Sequence, residues 1–131
     1  MSFAPHSADG VAILLWAADP SAPERLATPF FHAAAAAAMD APVEIYFTAA
    51  SVQLLVPGVA AALRASPRVD KTILSHMQDA AGHGARLFAC SDALAAHGLA
   101  DTPLIAECSG RGGAVQFMVR ALDLRWRTLV F

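Results

Sequence analysis

Short apolar runs that do not alternate with polar residues limit this chain's fold more than any other feature. Val11-Ala12-Ile13-Leu14-Leu15-Trp16 is the clearest of them. A strand with one wet face alternates apolar and polar side chains. An unbroken run is the pattern of a strand covered on both faces, as in a parallel sheet packed between helices. Val43-Glu44-Ile45-Tyr46-Phe47 and Arg86-Leu87-Phe88-Ala89-Cys90 give a second and a third strand. Leu104 to Cys108 is expected as a short fourth, and Trp126 to Phe131 as a fifth.

Between these runs the period changes to that of a helix. Thr28-Pro29 suits an N-cap and first helical position, because proline loses nothing where its N–H has no partner. That helix is expected to pass through Phe30, Phe31 and the alanines to about Met39, where Asp40-Ala41-Pro42 stops it. Thr72 to Ala81 carries Ile73, Leu74, Met77 and Ala80 at helical spacing, and Ser91 or Asp92 to His97 is closed by Gly98. Ala114 to Leu124 is amphipathic, with Val115, Met118, Val119 and Leu122 on one face. Ser51 to Leu55 and Val59 to Arg64 read as short helices or turns. Strands and helices in alternation imply the α/β class: a three-layer α/β/α sandwich around a five-stranded, mainly parallel sheet.

At 131 residues the chain is one domain, expected as a flexible N-terminal tail over residues 1–10 and a single domain over 11–131. Hydrophobic residues make up 56% and charged residues 15%. That is more apolar surface than one small core needs, so sister subunits are expected to cover part of it. The net charge is −2 and the cations are scattered, so there is no basic stripe for nucleic acid. The first cation is Arg25. The run from Val11 therefore lacks the positive region of a signal peptide and is too short to span a bilayer. The expectation is a cytoplasmic protein without a membrane segment, whose two cysteines are reactive or buried rather than a structural staple.

Cys90 and Cys108 both end apolar runs and precede small-residue turns, Ser91-Asp92 and Ser109-Gly110. In an α/β chain that is the carboxyl end of a strand, where such sheets place their chemistry. A helix starting there aims its free N–H groups at the sulfur, stabilises the thiolate and lowers its pKa. The competing reading is a small buried hydrophobe. If the third and fourth strands are neighbours, both sulfurs share one rim, and Cys108 serves as a resolving thiol provided the Cα atoms lie within about 7 Å.

Ser109, Gly110, Arg111, Gly112 and Gly113 offer a nest of backbone N–H groups for an anion or substrate, with Arg111 above it. A plain strand-to-helix turn explains them equally. The segment has neither a dinucleotide fingerprint nor a P-loop. His76 and His83 fall on one helix, and either polarises a thiol or serves as a surface or capping histidine. The cysteines and histidines show no Cys-x-x-Cys or His-x-x-x-His spacing, so no metal site is expected. Thiol exchange requires no nicotinamide, flavin or metal, so no cofactor is expected either.

Several stretches together resemble the DsrE/DsrF-like family of small sulfur-relay proteins. They are Ala27-Thr28-Pro29-Phe30-Phe31 with the alanine-rich helix after it, Val43 to Thr48, the Phe88-Ala89-Cys90 strand end, Gly98-Leu99, and the closing segment from Gly113 to Phe131. The resemblance covers nearly the whole chain from Val11. It implies a five-stranded parallel sheet between helices, assembled into a homotrimer or homohexamer. It also implies a sulfur carrier or sulfurtransferase that holds a persulfide on a cysteine at the end of the third strand, exchanging it with donor and acceptor proteins. Cys90 matches that position, and Cys108 is a second strand-end cysteine outside that match. The alternative function is a non-catalytic oligomeric binding protein with a pocket between subunits for a small ligand or partner peptide.

Overall fold

A computed structural model describes residues 8–131 of the chain. The tail expected at residues 1–10 lies outside the described residues up to residue 7; beyond it, Gly10 already belongs to the sheet. Five strands form that sheet: β1 (Gly10–Leu15), β2 (Val43–Phe47), β3 (Arg86–Ala89), β4 (Cys108–Arg111) and β5 (Trp126–Val130). Their order is β4-β3-β2-β1-β5, and every neighbouring pair is parallel. Four α-helices accompany them: α1 (Ala27–Ala38), α2 (Ile73–Gly82), α3 (Ser91–Ala96) and α4 (Ala114–Ala121). The architecture is the α/β sandwich that the apolar runs imply.

Strand pleating sends alternate residues to opposite faces. Ile13, Leu15, Ile45, Phe47, Leu87 and Ala89 join one large buried cluster with Phe30 and Ala33 of α1, Ile73 and Met77 of α2, and Leu94 of α3. Ala33 is fully buried there, and its small side chain lets the helix lie close to the sheet. The other face holds a much smaller cluster of Ala12, Tyr46 and Phe88, against which Leu14, Phe117 and Trp126 pack. Phe117 comes from α4.

Three sequence expectations are corrected. The fourth strand lies at Cys108–Arg111 rather than at Leu104 to Cys108. Leu104 and Ile105 instead pack on the large cluster as connecting chain, with the Ile105 N–H donating to the Leu55 carbonyl at 2.9 Å. β4 is an edge strand and three of its four residues are exposed, so it carries no apolar run to reveal it. Second, the N-cap of α1 is Leu26, which makes no side-chain capping bond, rather than Thr28. A 3₁₀ turn over Pro23–Arg25 runs straight into the helix, and the Leu26 N–H is taken by the Pro23 carbonyl. Third, Val115, Val119 and Leu122 of the α4 segment face away from the sheet, with Val115 83% and Leu122 77% exposed, and Met118 is itself 45% exposed. The apolar stripe is present, but it does not join this chain's own core.

Candidate functional site

Cys90 stands one residue beyond β3, as the N-cap of α3. Its N–H donates to the Phe47 carbonyl at 2.9 Å, and its carbonyl accepts the Leu94 N–H at 3.0 Å. The backbone is thus tied both to the neighbouring strand and to the helix that follows. The thiol is free and the residue half-buried.

The turn between β4 and α4 closes over this sulfur. The Gly112 N–H donates to the Ala89 carbonyl at 3.0 Å. A Cβ on Gly112 would lie 3.0 Å from both the Phe88 Cβ and the Gln116 Oε1, so a side chain is crowded out. A Cβ on Gly113 would lie 3.7 Å from the Cys90 Sγ. The two glycines therefore let main chain approach where a side chain would fill the space. What remains is a cavity of about 320 Å³ around Cys90, walled by Leu14, Tyr46, Thr48, Phe117, Met118 and the glycine turn. Among the described residues, no Asp, Glu, Lys, Arg or His lines it.

A polar network lies farther along the same face of the sheet. Glu44, in the middle of the β2 apolar run, is only 4% exposed. Arg120 of α4 grips its carboxylate with two donors, Nε to Oε1 at 2.9 Å and Nη2 to Oε2 at 3.1 Å. The Tyr46 hydroxyl donates to the same Oε1 at 2.7 Å. The Arg120 guanidinium also lies 4.1 Å from the Trp126 ring centroid. Burial alone pushes the Glu44 carboxyl up. The Arg120 and Tyr46 hydrogen bonds, with the charges of Arg120 and Arg86, outweigh it and hold Glu44 below the ordinary carboxyl range. Burial and the Glu44 bond push the Tyr46 phenol from 10.0 up to about 12. Tyr46 lines the cavity with its ring and fixes Glu44 with its hydroxyl, so it joins network and cavity.

The other sequence candidates fall elsewhere. Cys108 begins β4 opposite Leu87, at the amino edge of the sheet, whereas Cys90 follows its carboxyl edge. Three residues separate Leu87 from Cys90, about 10 Å at the ordinary strand rise of about 3.3 Å. That exceeds the roughly 7 Å a disulfide spans between Cα atoms. The expected shared rim and resolving partnership are therefore overturned by the later start of β4. The Cys108 thiol lies 3.5 Å from the Gly110 carbonyl instead.

Ser109, Gly110 and Arg111, the residues expected to cradle an anion, lie in the edge strand β4. Register shifts there, so that Phe88 pairs with Gly110 and Ser109 is the extra residue of a bulge. The Ser109 Oγ accepts the Leu87 N–H at 3.2 Å. Arg111 points to the Ala100 carbonyl at 3.0 Å and the Ser91 Oγ at 3.4 Å, holding β4 against the α3 segment. Gly112 and Gly113 stay at the site, as its wall. Among the histidines, His76 is buried against Phe31, ring centroids 4.8 Å apart, and His83 Nδ1 lies 2.8 Å from the Asp79 carbonyl at the end of α2. Among the described residues, no group of three His, Cys, Asp or Glu side chains is placed to hold a metal, and no helix is long and apolar enough to cross a membrane.

The sequence reading missed Glu44, Tyr46 and Arg120 as a unit. Its signal was a lone carboxylate inside an otherwise apolar strand, which requires a partner.

Comparison with known proteins agrees with this architecture. The crystal structure of the ychN protein from E. coli superposes with a TM-score of 0.72 at 15% identity, covering 93% of this chain and 99% of that one. That likeness is one of fold. No curated protein matches the sequence. The DsrE/DsrF-like family model matches residues 11–130, nearly all of the described chain, and the chain belongs to the DsrE/DsrF-like family.

Proposed function

We propose that the protein is a cytoplasmic sulfur carrier or sulfurtransferase that holds sulfane sulfur on Cys90. One observation carries the reading: Cys90, at the strand end where sulfur-carrying members of the family hold a persulfide, is half-buried and borders an apolar cavity. In the step proposed, the Cys90 thiolate attacks the outer sulfur of a donor persulfide, R–S–SH. A Cys90 S–S bond forms, the donor S–S bond breaks, and R–S⁻ leaves. The proton stays on the transferred sulfur, and Cys90–S–SH then passes it to an acceptor thiolate by the same exchange. Oxidation state is conserved in sum, so the exchange is complete with donor and acceptor alone.

Intact mass after incubation with a persulfide donor tests this. The wild-type chain and Cys108→Ser should gain one sulfur atom, and Cys90→Ser none. Loading of Cys90→Ser at the wild-type level overturns the reading.

The exposed Val115, Met118, Val119 and Leu122 of α4 support a homo-oligomer, a trimer or a hexamer, that covers this stripe. The same stripe favours a second reading, a non-catalytic oligomer that binds a small ligand or peptide beside Cys90. Ligand binding with no sulfur loading at any cysteine would decide for it.

A further inference from the structure

We infer that the sulfur donor, or acceptor, entering the Cys90 cavity is a small uncharged organic molecule with an apolar group next to its reactive sulfur. An anionic sulfur compound is disfavoured. This rests on the reading of Cys90 as the sulfur-accepting residue and adds the chemical class of what reaches it.

The argument is one of volume and charge. A cavity of about 320 Å³ falls at the small end of the roughly 300–1,000 Å³ typical of ligand sites. It has room for a compact organic group and little more. Its walls are the side chains of Leu14, Tyr46, Phe117 and Met118 and the glycine main chain, and Thr48 is its one aliphatic hydroxyl. Of the cations on this face, Arg120 is already taken up by both Glu44 oxygens, and Arg86 lies over the Phe88 ring, 5.0 Å from its centroid. Arg111, the cation of the adjoining turn, is bonded to Ala100 and Ser91. An anionic group placed beside the Cys90 sulfur would lose water and meet no uncommitted cationic side chain in the walls, which is costly. An apolar group would gain by leaving water. In the exchange, Cys90–S⁻ and R–S–SH give Cys90–S–SH and R–S⁻ when R enters as donor. The reverse exchange serves when R–S⁻ enters as acceptor. In both, a single negative charge passes between the two terminal sulfurs and R adds none of its own, so R can rest against the apolar walls.

Rates of Cys90 modification by a matched pair of thiosulfonates test the inference. The pair is n-propyl methanethiosulfonate, which is neutral, and 2-sulfonatoethyl methanethiosulfonate, which is anionic and of similar chain length. Each is read by peptide mass mapping and divided by its rate with a free cysteine amide. The neutral reagent should be preferred at Cys90 by on the order of tenfold. Benzyl persulfide should likewise load sulfur faster than glutathione persulfide. Thr48→Lys, which adds a cation at the cavity wall, should shrink the preference. Ala114→Lys does the same from the exposed start of α4 and serves if Thr48→Lys fails to fold.

A normalised preference near one overturns the inference. So does an unchanged preference in whichever lysine variant folds. Loading without selectivity leaves the carrier reading standing alone. Selective thiosulfonate labelling with no sulfur loading leaves the cavity assignment standing and removes the carrier reading.

Discussion

The two faces of the sheet are held down in different ways. On one, α1, α2 and α3 seal a continuous apolar cluster in which Ile13, Leu15, Ile45, Phe47, Leu87 and Ala89 are fully buried. On the other, α4 contributes no buried residue and is fastened by Arg120 to Glu44 and by Phe117 against Tyr46, ring centroids 5.5 Å apart. Burial is non-directional and roughly proportional to area, so the first face needs only enough fitting surface. A thinly covered face needs directional contacts to fix its helix, and it leaves space beside them. That space is where Cys90 sits. The incomplete packing of one face thus produces the cavity, and the closed packing of the other keeps the strand end that bears the cysteine in place.

The largest test of this contrast is Leu87→Ala on the sealed face. Removing a fully buried leucine there should cost about 2–5 kcal/mol in urea unfolding, with the spectrum of the folded chain retained.

Arg120→Leu should cost somewhat less, about 3 kcal/mol, because a buried carboxylate loses its partner while the arginine side chain is itself 32% exposed. The intact pair also has a pH signature. The Glu44 carboxyl is held below its ordinary value of 4.5, so the folded chain binds fewer protons than the unfolded one in that range. The stabilisation is present above pH 4.5 and is lost as pH falls through the lower folded value. Unfolding free energy measured from pH 6 to pH 3 should therefore fall less steeply in Glu44→Gln than in the wild type. Equal slopes would show that the pair does not hold α4.

Tyr46→Phe removes one hydrogen bond to a carboxylate and should cost about 1.5–3 kcal/mol. Tyr46 is the single tyrosine of the chain, so its absorbance titration is free of overlap. The phenol should remain protonated to about pH 12. Because the folded pKa is raised, stability falls as pH rises from 10 towards that value. Ionisation at pH 10 in the folded chain would place Tyr46 in water and break the link between network and cavity.

Val119→Ser, on the outer stripe of α4, should change protomer stability by no more than about 0.5 kcal/mol. Its effect should appear in light scattering as a smaller assembly. A monomeric wild type at micromolar concentration would count against the proposed oligomer.

Much of this was legible in the sequence, and the exceptions share a physical cause. The interior strands β1, β2 and β3 announce themselves because both faces are covered, and their runs are apolar but for Glu44 and Arg86. β4 has one neighbour and reads Cys-Ser-Gly-Arg, so the apolar residues just before it drew the assignment to Leu104 and Ile105. Cys108 then changed edges with the four-residue displacement. Helical periodicity located α4 correctly, but period alone does not say whether an apolar stripe meets its own core or another surface. Cys90 was legible because an apolar strand leads up to it and a helix starts directly after it, an order that fixes a strand end. The cavity walls were not, since Leu14, Thr48, Phe117 and Met118 come together only through crossovers between distant segments.

The interior place of β1, next to the edge strand β5, bears on how the chain is made. It is flanked by β2 and by β5, and Gly10 pairs with Trp126 from the far end of the sequence. As the polypeptide leaves the ribosome, β1 and β2 can join early, yet the second edge of β1 stays unsatisfied until the last strand emerges. Such long-range closure slows folding and leaves a sticky edge exposed meanwhile. A nascent chain halted before Trp126 should accordingly be the species that chaperones hold longest.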